Sequence, residues 1–225
     1  MTSPPKQTDL TLFLGQLLHS PAQLGAIAPS SQHLARLICA PVSERGEPVV
    51  VELGAGTGPF TVEIQRKLAG RGRHLAIEVN PHLADRLQQR CPGAEVIRQD
   101  AALLPLLLDE RGIDRADVMI SGLPWALFPS SRQQQLMDVA AARLGPHGVF
   151  TAFTYLHAVP LPLAKRFRNL LDELFEEVVP SRTIWRNAPP AFVIHARRPR
   201  RQRQLKCTVS VPSQRVPGDA TSRIV

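Results

Sequence analysis

The stretch from Val49 to Phe60, VVVELGAGTGPF, restricts the fold more than any other part of the chain. Three consecutive β-branched valines suit a parallel strand covered on both faces, and Glu52 falls where that strand should end. Gly54, Gly56 and Gly58 then allow positive φ and a close approach of the backbone to a ligand. Pro59 fits the first turn of a following helix. Strand, glycine loop and helix in this order make a cradle for a nucleotide-like group. A dinucleotide site calls for G-x-G-x-x-G, but counting from Gly54 puts Pro59 where the third glycine belongs.

The spacing G-x-G-x-G after a strand-end acid resembles the first motif of class I S-adenosylmethionine (SAM) methyltransferases. That resemblance implies an α/β, Rossmann-like sheet of seven strands with helices on both faces. It also implies a second acid closing the next strand about 20 residues on, as in other ribose-binding α/β folds. Glu78, in HLAIEVN, stands there. A third acid is expected near the adenine, and Asp100, in EVIRQD, fits, although a carboxylate here can equally cap a helix starting at Ala101. The cofactor contacts implied by the resemblance are Glu52, Gly54, Ala55, Gly56, Gly58, Glu78, Val79, Asp100, Ala101 and Ser121, with no metal.

The remaining pattern alternates strands and helices, as a parallel sheet requires. Leu10, Phe13, Leu14, Leu17 and Leu18 share one helical face, and Pro21 stops that helix. A second helix starts at Ser30 or Ser31, either of which can cap it. Strands are expected at Val49, His74, Glu95, over 117–121 and over 148–155, with two more within 177–185 and 191–197. Helices are expected over 59–68, 81–90, 131–144 and 161–175. The organisation read from the chain is a helical extension over 1–45, a SAM-dependent domain over 46–198, and a basic tail over 199–225.

The charge is concentrated at one end. From Arg197 onward eight Lys and Arg residues face Asp219 alone, which accounts for nearly all of the net charge of +8. With its prolines and weak periodicity this tail is expected to be disordered and to attract a polyanion, either RNA or an anionic membrane surface. No apolar run reaches transmembrane length, and the start lacks the regions of a signal peptide. A cytoplasmic protein, peripherally attached to the inner face of the membrane, is the expectation. Cys39, Cys91 and Cys207 are odd in number and widely spaced, indicating neither a disulfide framework nor a zinc site.

Four segments lie before the first strand or after strand ends, where a doubly wound sheet binds ligands: GAIAPSS (25–31), SGLPWALFP (121–129), FTYLHAVP (153–160) and WRNAPPA (185–191). With these the chain resembles bacterial phospholipid N-methyltransferases, from about Phe13 to Arg198. The resemblance implies SAM-dependent methylation of the amine of phosphatidylethanolamine and its methylated derivatives at an anionic membrane surface. Methyl transfer to an amine needs a neutral nitrogen held in line, so positioning dominates over acid–base chemistry. Tyr155 and His157 are the candidate orienting or proton-accepting groups. Ser30, Ser31, Leu123, Trp125 and Arg186 are the candidate substrate contacts. Trp125, Phe128, Tyr155 or Trp185 can hold a quaternary cation, and Arg186 can pair with a lipid phosphate. The helix over 10–18 can lie in the membrane interface, although it lacks Lys and Arg. SGLPW also resembles the N-L-P-Y loop of rRNA adenine dimethyltransferases. Ser121, Gly122 and Trp125 depart from that pattern, leaving RNA methylation, or methylation of a small amine, as the alternatives.

Overall fold

The computed structural model describes residues 30–200. The helix expected over 10–18, most of GAIAPSS, Cys207 and the basic segment beyond Arg200 lie outside the described residues. In chain order the elements are α1 (Gln32–Ile38), β1 (Val49–Leu53), α2 (Pro59–Leu68), β2 (Arg73–Ile77), α3 (Pro81–Arg90) and β3 (Glu95–Ile97). Then come α4 (Leu104–Asp109), β4 (Ala116–Ser121), α5 (Ser130–Ala142), β5 (Leu144–Tyr155), α6 (Pro162–Leu174), β6 (Phe175–Pro180) and β7 (Ala191–Pro199). Single 3-10 turns occupy Ala101–Leu103, Trp125–Leu127 and Leu156–Ala158.

The strands form one seven-stranded sheet in the order β3-β2-β1-β4-β5-β7-β6. The first five are parallel, while β7 runs antiparallel to both β5 and β6. Alternation along each central strand divides the core in two, because successive side chains point to opposite faces. Val51, Leu53, Leu75, Ile77 and Met119 enter the larger cluster with residues of α4, α5 and α6. Val50, Val118, Ile120 and Val193 pack with Leu34 and Ile38 of α1 and with Phe60 and Ile64 of α2. Fully burying side chains of this size contributes about 1.5–3 kcal/mol each.

Local chemistry sets the element ends. Ser31 caps α1, its hydroxyl accepting the Leu34 N–H at 3.2 Å. Asn80 caps α3 by accepting from the His82 and Leu83 N–H groups. Pro59 and Pro81 lie in the first turns of α2 and α3, where a missing N–H costs nothing.

The structure differs from expectation at several boundaries. β5 begins at Leu144, because the register with β4 shifts around Gly145–Gly148 before regular pairing resumes at Val149. β6 starts directly after α6 at Phe175 and ends at Pro180, so the tip of the expected strand, through Trp185, is a loop. β7 reaches Pro199, paired with Phe175, and Arg200 donates from its backbone N–H to the Leu174 carbonyl at 2.8 Å. The sheet thus absorbs the first arginines of the basic run.

Candidate active site

The carboxyl ends of β1, β2, β4 and β5 surround one cavity of about 570 Å³. The glycine loop makes its first wall. Gly54, Gly56 and Gly58 all adopt positive φ, at 72°, 57° and 86°. Their surroundings differ. A Cβ on Gly54 would lie 2.7 Å from the Leu123 side chain, and one on Gly58 would lie 2.4 Å from Leu87, whereas beside Gly56 there is open space. Gly54 and Gly58 therefore close the loop against its supports, and Gly56 turns its bare face to the cavity.

Glu78 makes the second wall. Its carboxylate is buried and accepts the Gly56 N–H and the Asn80 N–H, each at 2.8 Å. Burial pushes its pKa up, and the backbone N–H donors of Asn80 and Gly56 partly oppose that shift. One acid thus ties the glycine loop to the end of β2 while lining the cavity. Asp100 caps the turn at Ala101, its Oδ1 accepting the Ala102 N–H at 2.8 Å, and the residue lines the cavity. It is also paired with Arg132, from the first turn of α5.

The remaining wall is mostly apolar, with Leu123, Leu127, Phe153, Ala164 and Phe167 among its residues. Tyr155 and His157 both line it, their rings stacked at 5.6 Å. Tyr155 is half-buried, which pushes its phenol above the usual range, and His157 is exposed.

Gly54, Gly56, Glu78, Val79, Asp100, Ala101, Leu123, Trp125, Tyr155 and His157 meet at this cavity. The other anticipated residues stand elsewhere. Glu52 is fully buried behind the loop, accepting from Thr61 Oγ1 at 2.7 Å and lying 3.3 Å from His74 Nε2. Alternation explains this placement: Glu52 shares a strand face with Val50, towards α2. Ala55 and Gly58 pack against Leu87 instead. The Ser121 hydroxyl is buried as an acceptor for the Trp125 indole N–H at 3.0 Å and the Leu123 N–H at 3.3 Å. Trp125 is 3% exposed and stacked on Phe167 at 4.4 Å, so that face of the indole is not free for a cation. Phe128 is buried in the core at the cavity wall, and Trp185 and Arg186 are exposed outside the cavity. Ser30 and Ser31 also lie off it.

Three residues outside the anticipated set organise the site. Gln133 of α5 is fully buried and donates through Nε2 to the carbonyls of Trp125 (2.6 Å), Phe128 (3.3 Å) and Leu163 (2.9 Å). It clamps the SGLPW loop to the start of α6. Asn187, neighbour of the anticipated Arg186, accepts the Ser31 N–H at 2.9 Å and donates to the Pro189 carbonyl at 2.7 Å. It joins WRNAPPA to the last residue of GAIAPSS across 156 positions of sequence. Arg132 neutralises Asp100. Only the WRN asparagine carried a sequence signal, as a polar residue inside an already suspect motif.

These residues suit SAM. The open face of Gly56, the buried acceptor Glu78 and Asp100 beside Ala101 would hold its amino-acid, ribose and adenine portions respectively. Among the described residues no group of three or more His, Cys, Asp or Glu side chains is placed to hold a metal ion, and no helix is long and apolar enough to cross a membrane.

Strand order, glycine loop and strand-end acids together define a class I SAM-dependent methyltransferase. The chain is 34% identical over 186 residues to the ornithine lipid N-methyltransferase of Singulisphaera acidiphila, covering 81% of this chain and 93% of that one. It belongs to that protein's family. No family model matches. The O-methyltransferase of Bacillus cereus, solved with SAH, superposes with a TM-score of 0.58 at 12% identity, over 88% of this chain and 93% of the other. A putative rRNA methylase from Clostridium thermocellum gives 0.58 at 14% identity, over 76% and 97%. Another solved chain, 18% identical with a TM-score of 0.58, is longer, and this chain spans 46% of it. At these identities the likeness to solved structures is one of fold.

Proposed function

We propose that this protein transfers a methyl group from SAM to the amine of a membrane lipid. The observation that carries this reading is the character of the cavity. It runs from the polar, backbone-lined glycine loop into an apolar chamber walled by Leu123, Leu127, Phe153, Ala164 and Phe167. Kinship with a lipid N-methyltransferase supports the same reading.

Bound SAM supplies an electrophilic methyl on a cationic sulfur. The chain's own work is to bring a nitrogen lone pair to that methyl in a site sheltered from water. A lipid amine arrives as an ammonium and must first lose a proton. Tyr155, its phenol kept neutral by burial, orients the amine by accepting its hydrogen bond. His157, stacked on Tyr155 and open to solvent, takes that proton from the ammonium on a ring nitrogen and releases it to water.

The head group favoured is an aminolipid of the kind named for the relative, ahead of phosphatidylethanolamine. Among the described residues the one Arg lining the cavity, Arg132, is paired with Asp100, and Arg186 lies outside, so none of them offers a free guanidinium to a phosphate within it. Incubation with labelled SAM and vesicles holding either ornithine lipid or phosphatidylethanolamine, with ribosomal RNA in a parallel tube, tests the proposal. Label in a lipid band supports it, and the brighter band identifies the head group. Label in RNA alone refutes it.

A further inference from the structure

We infer that the two connections flanking the cavity mouth, residues 155–171 and 181–190, form a surface that seats directly on an anionic lipid bilayer, with Trp185 as its inserted aromatic anchor. The inference rests on the lipid-amine reading for its purpose, and on separate observations for its geometry.

The topology brings these connections to one end of the molecule. β5 and β6 both run antiparallel to β7, so the end of β5 at Tyr155 and the end of β6 at Pro180 point the same way. The Leu156 N–H donates to the Pro190 carbonyl at 2.8 Å and fastens the two connections together. Pro189 on one and His157, Ala158 and Leu161 on the other line the cavity. The surface and the mouth are therefore continuous.

Its composition is that of a membrane interface. Trp185 is 71% exposed, with Leu156 at 39% and Leu161 at 41%. An indole held in water by a loop already anchored through Asn187 is costly unless something covers it, and tryptophan favours the boundary between head groups and acyl chains. The charge is one-sided as well. Lys165, Arg166, Arg168, Arg182 and Arg186 lie in the two connections, and the acids that follow the first of them, Asp172 and Glu173, fall in the last turn of α6, where it leads away from the cavity into β6. Arg166 pairs with Glu173, while Lys165, Arg168, Arg182 and Arg186 form no ion pair with described residues. Exposed cations around exposed aliphatic and indole side chains complement an anionic membrane. Nucleic acid would satisfy the cations but leave Leu156 and Leu161 uncovered.

The sequence holds two tryptophans, and Trp125 is 3% exposed, so a change in intrinsic fluorescence on membrane binding reports Trp185. The full-length chain is mixed with vesicles containing phosphatidylglycerol, with and without brominated acyl chains, and binding is followed in parallel by co-sedimentation. A blue shift together with quenching by brominated lipid, both lost in Trp185→Phe, is the expected result. Vesicle binding without quenching would place the membrane contact elsewhere and overturn the inference, as would no binding at all. A shift produced by single-stranded RNA that displaces the vesicles would also overturn it. Methylated lipid formed without quenching removes this surface and leaves the proposed function; quenching without any methylated lipid does the reverse.

Discussion

The two halves of the cavity are built by opposite means. On the donor side, β1 to β3 present backbone and carboxylates: Gly56 is held by Glu78, Glu78 also by Asn80, and Asp100 by Ala102 and Arg132. On the acceptor side, the segment after β4, the end of β5 and the start of α6 present aromatic and aliphatic walls whose polar supports, Gln133 and Asn187, sit behind the surface. A donor of fixed chemistry suits fixed hydrogen bonds, whereas the proposed acyl-bearing acceptor suits shape. The two halves meet where Gly54 and Gly122 touch: a Cβ on Gly122 would lie 2.4 Å from the Gly54 carbonyl oxygen.

Breaking that joint should do the most damage. Gly122→Ala forces the two loops apart, so both SAM affinity and lipid turnover should fall, with a stability loss of about 1–3 kcal/mol. Calorimetric SAM titration and thermal melting check this, and a variant with normal affinity would show the loops to be independent. Glu78→Ala should injure the donor half alone. Losing hydrogen bonds to a charged acceptor costs about 1.5–3 kcal/mol, or roughly 10- to 100-fold in the SAM Kd, while circular dichroism stays native. On the acceptor side, Gln133→Leu removes the clamp on three carbonyls. It should raise the KM for lipid with little change in the SAM Kd, so an equal change in both would erase the distinction between the halves.

Acidity offers a finer test. Because burial raises the Glu78 pKa, its carboxylate takes a proton at a higher pH than an ordinary glutamate. SAM affinity should therefore weaken as pH falls through that raised value, and Glu78→Gln should flatten the profile. The sign for the unliganded protein is opposite: a folded-state pKa above the unfolded one favours the folded state as pH falls. Smallest of all, Tyr155→Phe should lower turnover several-fold, within the hundredfold or more typical of a full acid–base group, because a phenol that stays protonated orients rather than deprotonates.

The same contrast decides what the sequence could disclose. The donor half is carried by consecutive residues whose conformational demands are local. Gly54 and Gly56 therefore stood out from spacing, Glu78 and Asp100 from the strand-end pattern that the resemblance implied, and all line the cavity. Glu52 shares the motif but not the site, since strand alternation turned it towards Thr61 and His74. In the acceptor half the segments were visible but their working residues were not. Ser121 and Trp125 hold one another within the loop, and Asn187, rather than Arg186, makes the long-range contact. Gln133 lies on a helix whose sequence, SSRQQQLMD, gives no reason to prefer one glutamine over the next. What selects it is burial against a loop and α6, a property of three-dimensional packing.

The most direct test of a shared chamber for donor and acceptor is photo-crosslinking of a lipid whose amine head group carries a diazirine, with SAH present, followed by peptide mapping. The account predicts adducts on residues 122–128 and 153–158, reduced in Gln133→Leu and preserved in native-folded Glu78→Ala. Adducts confined to other surfaces, with those two segments unlabelled, would contradict it.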